Sequence, residues 1–295
     1  MSYAVLFNRL SGRRSDRWNQ HLIHRLQTSL SEPVSAYEVD DAKTLNRALT
    51  ELLSSDAHSL IISGGDGTLN RVVNALLSHP QQRPLNLAVI PNGTGNSFAL
   101  DLNIHQLDDA LRAIEEGTTV SVDVGEIRHG DHQRFFINNF GIGLVYDITA
   151  LASRMRAIGA LSYVIATLVK LIRLPTLNVQ MTVDGIRQTN NLLFLDICNS
   201  RYTGGNMNMA PQVTLADGQF QMIWVAPLPR RTLLRTFPKL FKGTHVNESF
   251  VHQQMVQQVT LEGDANIRCI LDGDLDVGLP LTIAMTQRRL TFYTL

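Results

Sequence analysis

Two short segments of this 295-residue chain combine residue types that handle phosphate. Gly64-Gly65-Asp66-Gly67-Thr68 holds three glycines, an acid and a hydroxyl in five positions. Asn92-Gly93-Thr94-Gly95-Asn96 repeats the theme with Gly93, Gly95 and Thr94. Glycine lets backbone approach a phosphate closely. A helix that starts there adds unsatisfied N–H groups and the positive end of its dipole. Neither loop has the P-loop spacing, because Leu69 and Asn70 follow Thr68, and neither fits the dinucleotide fingerprint G-x-G-x-x-G. Asp66 would repel phosphates unless a divalent cation joined them, and Mg²⁺ bridges carboxylate and phosphate oxygens. Capping the following helix is a second role for Asp66, and the two are compatible.

Other acids stand in Asp-Gly pairs: Asp217 in TLADGQFQ (214–221), and Asp272 with Asp274 in LDGDL (271–275). Taken alone, such pairs are turn sequences first. The nine histidines show no zinc-ligand spacing, and His129 and His132 flank a hairpin turn at the surface. Cys198 and Cys269 lie in apolar runs and read as buried thiols of a reducing compartment.

The elements that carry the two loops alternate. Tyr3–Asn8, Val34–Val39, Ser59–Ser63 and Leu85–Pro91 read as strands. The segments between them carry helical periodicity, with Ser15 as an N-cap of the first. Leu69, Val72, Val73, Leu76 and Leu77 fall on one face of the helix after the first loop. This alternation predicts a mostly parallel sheet covered by helices, with both loops at strand carboxyl ends, where α/β folds bind ligands. From about residue 118 many short strands and turn signals predict an antiparallel sandwich, interrupted by one helix over about 153–173 that Pro175 stops. The domains expected are 1–122, with strand 288–295 as a candidate to rejoin it, and 123–287.

Twenty-six basic and 26 acidic residues give zero net charge, which argues against nucleic acid as a partner. The opening MSYAVLFNRL lacks signal-peptide features, and Ile158–Val169 is too short to span a bilayer, so a cytoplasmic location is expected.

With these motifs placed, the chain resembles the diacylglycerol kinase catalytic family, nearest to the bacterial YegS-like lipid kinases. SGGDGTLNRVVNALL and PNGTGNSFAL resemble its nucleotide-binding motifs. NRLSG (8–12), NNFGIG followed by GALSY, GGNMNMAP (204–211), TLADGQFQ and LDGDL follow in the family's order. The resemblance implies an N-terminal αβα domain like that of phosphofructokinases and NAD kinases, a C-terminal β-sandwich, and an active site in the cleft between them. It implies transfer of the γ-phosphate of ATP, with Mg²⁺, to the hydroxyl of a lipid such as diacylglycerol, phosphatidylglycerol or a sphingoid lipid.

The resemblance further implies residue roles. Gly64, Gly65, Asp66, Gly67 and Thr68 would meet the nucleotide phosphates with Thr94, while Gly93, Gly95 and Asn96 shape the second loop and Asn8 lies near the nucleotide. Asp66 and Asp274 are the catalytic carboxylates. Asp274 holds the place of the family's general-base glutamate, with Asp272 in reserve. Asp217 would hold a further Mg²⁺ with the carbonyls of Thr214 and Gln219. Ser97 stands where many members carry aspartate, and Leu100 where many carry arginine. These departures, with Asp274, keep open a nucleotide-binding regulator without catalysis, and the shared GGDGT keeps open an NAD kinase-like small-molecule kinase.

A lipid substrate implies transient contact with a membrane. Arg230, Arg231, Arg235, Lys239 and Lys242 accompany Leu233, Leu234, Phe237, Leu240 and Phe241 at helical spacing. A helix packed on the sandwich with a solvated basic face competes with a membrane-surface helix, and Pro238 interrupts the pattern. The oligomeric state is open, a homodimer among the options.

Overall fold

The computed structural model describes residues 2–8, 16–159, 161–276 and 278–295. The chain divides into two units, Met1–Val122 with Arg289–Leu295, and Asp123–Arg288. Ser15 and Arg9–Gly12 of the opening motif lie outside the described residues.

Unit 1 alternates β1 (Ser2–Phe7), α1 (Asp16–Ser29), β2 (Val34–Glu38), α2 (Ala42–Leu53), β3 (Ala57–Gly64), α3 (Asp66–Ser78), β4 (Asn86–Pro91), α4 (Ser97–Asp101) and α5 (Leu107–Glu116). Strands β2-β1-β3-β4 lie side by side and parallel. Leu60, Ile61 and Ile62 are fully buried, the near-continuous apolar run of a parallel strand covered on both faces. Strand β5 (Thr119–His129) leads into unit 2.

Unit 2 contains β6 (His132–Phe136), β7 (Asn139–Gly143), α6 (Leu144–Ala152), a 3₁₀ segment (Ser153–Ile158), α7 (Leu161–Lys170), β8 (Leu177–Val183), β9 (Ile186–Leu192) and β10 (Phe194–Cys198). It continues with β11 (Tyr202–Thr203), β12 (Met207–Asn208), β13 (Phe220–Val225), α8 (Arg230–Leu240), a 3₁₀ turn (Thr244–Asn247), β14 (Val251–Val256), β15 (Gln258–Gly263), β16 (Cys269–Leu271) and β17 (Asp274–Asp276). Strand β18 (Leu281–Tyr293) pairs with β15 in this unit, and its end pairs in parallel with β4 in unit 1. There Tyr293 shares a 2.7 Å hydrogen bond with Ser59, and Phe292 packs edge-on to Phe98.

Two antiparallel sheets form the sandwich. One runs β14-β13-β10-β7-β16-β17, and the other includes β18-β15-β8-β9. Strand alternation sorts the residues of β10. Leu195 and Ile197 join Phe140, Ile142, Met181, Val259 and Ile283 in the core between the sheets. Phe194 and Cys198 face the other way, into a second core with Leu144, Leu171, Met209, Leu233 and Leu240, where helices cover the sheet. Both cysteines are buried and form no disulfide.

The helix expected over 153–173 is divided. Helix α6 starts nine residues earlier, at Leu144, directly after Gly143 (φ 76°). Met155 is non-helical, and Gly159 (φ 67°) takes the left-handed conformation that ends a helix. Turn hydrogen bonds close the stretch at Arg173, before Pro175. Helix α8 runs two residues past Pro238, so the proline sits in the last turn, where it removes one helical bond rather than breaking the element.

Candidate active site

Strands β3 and β4 are parallel neighbours with Gly64 opposite Pro91, so both glycine loops leave the same sheet edge side by side. The loops touch through their glycines. A Cβ on Gly93 would stand 2.4 Å from the Gly65 Cα, and a Cβ on Gly64 would meet Thr68 at 2.5 Å. Asn92 N–H donates to the Gly64 carbonyl at 3.0 Å. Asn96 (φ 55°) clamps its own loop, accepting from Gly93 N–H at 2.8 Å and donating back to the Gly93 carbonyl at 3.1 Å. Asn8 follows β1 and is buried beside this edge, since Phe7 pairs with Ser63.

Asp66 opens α3, yet its carboxylate caps a different helix. Oδ2 accepts the Ser97 N–H at 3.0 Å and Oδ1 the Phe98 N–H at 3.1 Å, both in the first turn of α4. The residue as a whole is half-buried, but its carboxyl faces inward. Burial raises its pKa, and the Ser97 and Phe98 N–H groups oppose that rise. Gly65, the N-cap of α3, offers no side chain to that helix. The first N–H groups of α3 therefore sit at the loop without an intrahelical acceptor.

In unit 2 the two aspartates of LDGDL separate sharply. Asp272 and Gly273 both have positive φ (47° and 87°), forming the tight β16–β17 turn in which Leu271 pairs with Asp274. The Asp272 carboxylate is 1% exposed and accepts N–H bonds from Ile137 (3.0 Å), Asn138 (3.0 Å) and Asn139 (2.9 Å). Asp274 is half-buried, with Arg134 at 3.9 Å. Asp217 is exposed and accepts from Gln219 N–H at 3.0 Å, closing its own turn. Thr214 is exposed on the same loop. Asp123, which sequence patterning passed over, fixes that loop. It is buried, accepts Gly218 N–H at 2.6 Å and gives its own N–H to Leu215 at 2.7 Å. An acid at an inward position of VSVDV was the available signal.

No group of three His, Cys, Asp or Glu side chains gathers around a metal position among the described residues. The oxygen donors at Asp66 and along 214–219 suit a hard cation that keeps waters, as Mg²⁺ does, rather than a softer metal. At Asp66 both oxygens already accept N–H bonds, so any cation there competes with or sits outside the α4 cap.

Unit 2 also holds an apolar pocket of about 100 Å³ between the six-stranded sheet and its helices. Leu144, Tyr163, Phe194, Met209, Phe237 and Phe250 are among its walls. Outside it, α7 presents Leu161, Ile165, Leu168 and Val169 to solvent, with Ile172 just beyond, all on one helical face and 41–66% exposed.

The diacylglycerol kinase catalytic domain profile matches residues 2–127, and the YegS C-terminal NAD kinase beta sandwich-like profile matches 141–294. The chain belongs to the diacylglycerol kinase catalytic family. This kinase is 30% identical over 267 residues to the diacylglycerol kinase of Staphylococcus carnosus, covering 88% of this chain and 84% of the relative. It is 28% identical over 286 residues to that of Bacillus subtilis, covering 94% and 90%. A diacylglycerol kinase crystal structure from Bacillus anthracis shares the fold with a TM-score of 0.74 at 19% identity, covering all of this chain and 96% of that one. An NAD kinase from Archaeoglobus fulgidus in complex with ATP matches at TM-score 0.52 and 14% identity, covering all of this chain and 94% of that one. The family is one of lipid kinases, and this member has an α/β N-terminal domain and a β-sandwich C-terminal domain. No helix among the described residues is long and apolar enough to cross a membrane.

Proposed function

We propose that this kinase transfers the γ-phosphate of ATP to the hydroxyl of an acylated lipid of the diacylglycerol type. The apolar pocket of unit 2 carries this reading, because an acyl chain needs such walls and a soluble nucleotide acceptor does not. Gly64, Gly65, Gly67, Thr68 and Gly93–Asn96 form the cradle for the triphosphate, with Asn8 beside it. Asp66 holds the two halves of that cradle in register. Bound Mg²⁺ supplies the positive charge that neutralises the phosphates. Asp217 with the Thr214 and Gln219 carbonyls is the second place suited to hold it. Asp274 takes the proton from the attacking hydroxyl, since it is the more accessible carboxylate of its hairpin and Asp272 is committed to three N–H groups.

The enzyme works on the cytoplasmic side of a membrane that it visits through the exposed face of α7 and the basic residues Arg230, Arg231 and Arg235 of α8. The deciding experiment supplies labelled ATP and Mg²⁺ with total lipid extract, or with NAD, and identifies the labelled product. A labelled lipid is the expected result. Label only in NAD would establish the small-molecule kinase instead, and no transfer at all would favour a nucleotide-binding regulator.

A further inference from the structure

The lining of the unit 2 pocket is mostly apolar, with hydroxyls from Thr149, Tyr163, Thr167, Thr203 and Thr236 and one imidazole. Leu144, Phe194, Met209 and Phe250 present carbon. The hydroxyls of Thr167 and Thr236 turn back onto their own helices, donating to the Tyr163 and Thr232 carbonyls at 2.7 and 3.0 Å. His245 also lines the pocket, from the 3₁₀ turn after α8. It is 2% exposed, and neither ring nitrogen has a hydrogen-bond partner among the described residues. The Met209 backbone approaches the ring without closing a hydrogen bond.

Burial pushes the His245 imidazole down to about 4, so the ring is neutral near pH 7, with one N–H to give and one lone pair to receive. The turn that carries His245 is tightly packed. Gly243 (φ 67°) opens it in a conformation that favours glycine, and a Cβ there would stand 3.0 Å from the Asn208 amide nitrogen. A polar ring held in an apolar wall costs stability until a partner completes it. Leucine or phenylalanine would fill the same space without that cost.

Building on the lipid-kinase reading, we infer that His245 is a specificity-determining anchor whose ring N–H donates to an acyl carbonyl oxygen of the lipid. The substrate class narrows accordingly to lipids with an ester or amide carbonyl beside the chain that enters the pocket. Ether-linked lipids and free sphingoid bases lack that acceptor.

The test compares a 1,2-diacylglycerol with the 1,2-dialkylglycerol of the same chain length, in mixed micelles with ATP and Mg²⁺. Wild type should favour the diacyl lipid about tenfold in kcat/KM, the scale of one buried hydrogen bond left unmade. In His245→Leu the preference should fall below about twofold, through a higher KM for the diacyl lipid alone, with the melting temperature unchanged or raised. His245→Gln, which keeps an N–H, should recover part of the preference, and His245→Phe stands in if the leucine variant does not fold. A wild-type enzyme that uses both lipids equally overturns the anchor while leaving the kinase intact. So does a folded His245→Leu or His245→Phe variant that keeps the preference, or one that loses activity on both lipids equally. If wild type phosphorylates neither lipid, the kinase reading and the anchor fall together.

Discussion

The carboxylate of Asp66 and the backbone N–H of Ser97, 31 residues apart in sequence, meet at 3.0 Å. A helix dipole and an acid that begin on different loops thereby become one cap. The arrangement joins two glycine loops into a single unit, the proposed phosphate cradle, with the Gly65–Gly93 backbone contact as its floor.

Removing this brace should loosen the cradle rather than unfold the domain. Asp66→Ala is expected to weaken ATP binding about tenfold, since two hydrogen bonds to a carboxylate are lost together. Calorimetric titration of ATP reads this directly, and an Mg²⁺ titration of turnover reads any metal role of the same carboxylate. Wild-type ATP affinity in the variant would leave the brace without a function.

Gly93→Ala attacks the same joint from the other side. Its Cβ would lie 2.4 Å from the Gly65 Cα and 2.9 Å from Asn96 Oδ1, so the loops must part. The strain is of order ~1–3 kcal/mol. ATP binding should be lost with a melting point lowered by only a few degrees.

Asp272 and Asp274 of the β16–β17 hairpin should respond in opposite ways. Asp274→Asn changes a half-buried side chain and should leave stability within ~0.5 kcal/mol. Its turnover should fall at least ~100-fold with ATP affinity kept, as loss of a general base requires. Asp272→Asn would turn an amide toward N–H donors that need an acceptor, costing about 2–4 kcal/mol in a denaturant melt. If Asp274→Asn turned over normally, the base would have to be sought elsewhere.

Asp196 supplies a pH dependence. It lies in β10 on the face opposite Leu195 and Ile197 and is fully buried. Asn139 donates to Oδ1 at 2.9 Å, Oδ2 has no hydrogen-bond partner among the described residues, and burial pushes its pKa up to about 7. The folded state therefore keeps a proton that the unfolded chain releases near pH 4. That contribution is full below pH 4 and is lost as the pH rises to about 7. Asp196→Asn should flatten this fall and stabilise the protein at pH 8 by about 1–3 kcal/mol. Melts at pH 5 and pH 8 would show it, and parallel profiles for the two proteins would refute it.

The proposed membrane contact assigns work to the apolar face of α7. Leu161→Glu with Ile172→Glu should weaken sedimentation with anionic vesicles several-fold, because glutamate is both hydrated and repelled there. Ile186→Glu is the matched control, on strand β9 and 72% exposed. Equal losses in both would mean that vesicle binding does not use α7.

Much of this organisation was legible in residue order. Parallel strands announced themselves as buried apolar runs, and Gly-rich loops at their ends marked the sheet edge. The partner of Asp66 was not legible, because sequence spacing favours the helix that an acid begins, whereas the contact to α4 arises from the pairing of β3 with β4. The same limit hid Asp123, Asp196 and His245. A lone polar residue inside an apolar stretch shows that something must satisfy it, but which backbone comes near is decided by register between strands far apart in the chain. For α7, periodicity identified an apolar segment and left open which of its faces packs inward.

Strand β18 has a consequence for the order in which the protein can be made. Its end joins β4, so Arg289–Leu295 belong to the unit that holds the two glycine loops, while residues 123–288 lie between. A ribosome must therefore synthesise residues 123–288 before the unit of the two glycine loops has all its strands. Until then Phe98 lacks Phe292 and Ser59 lacks Tyr293. The two glycine loops reach their final support last, although they are encoded early.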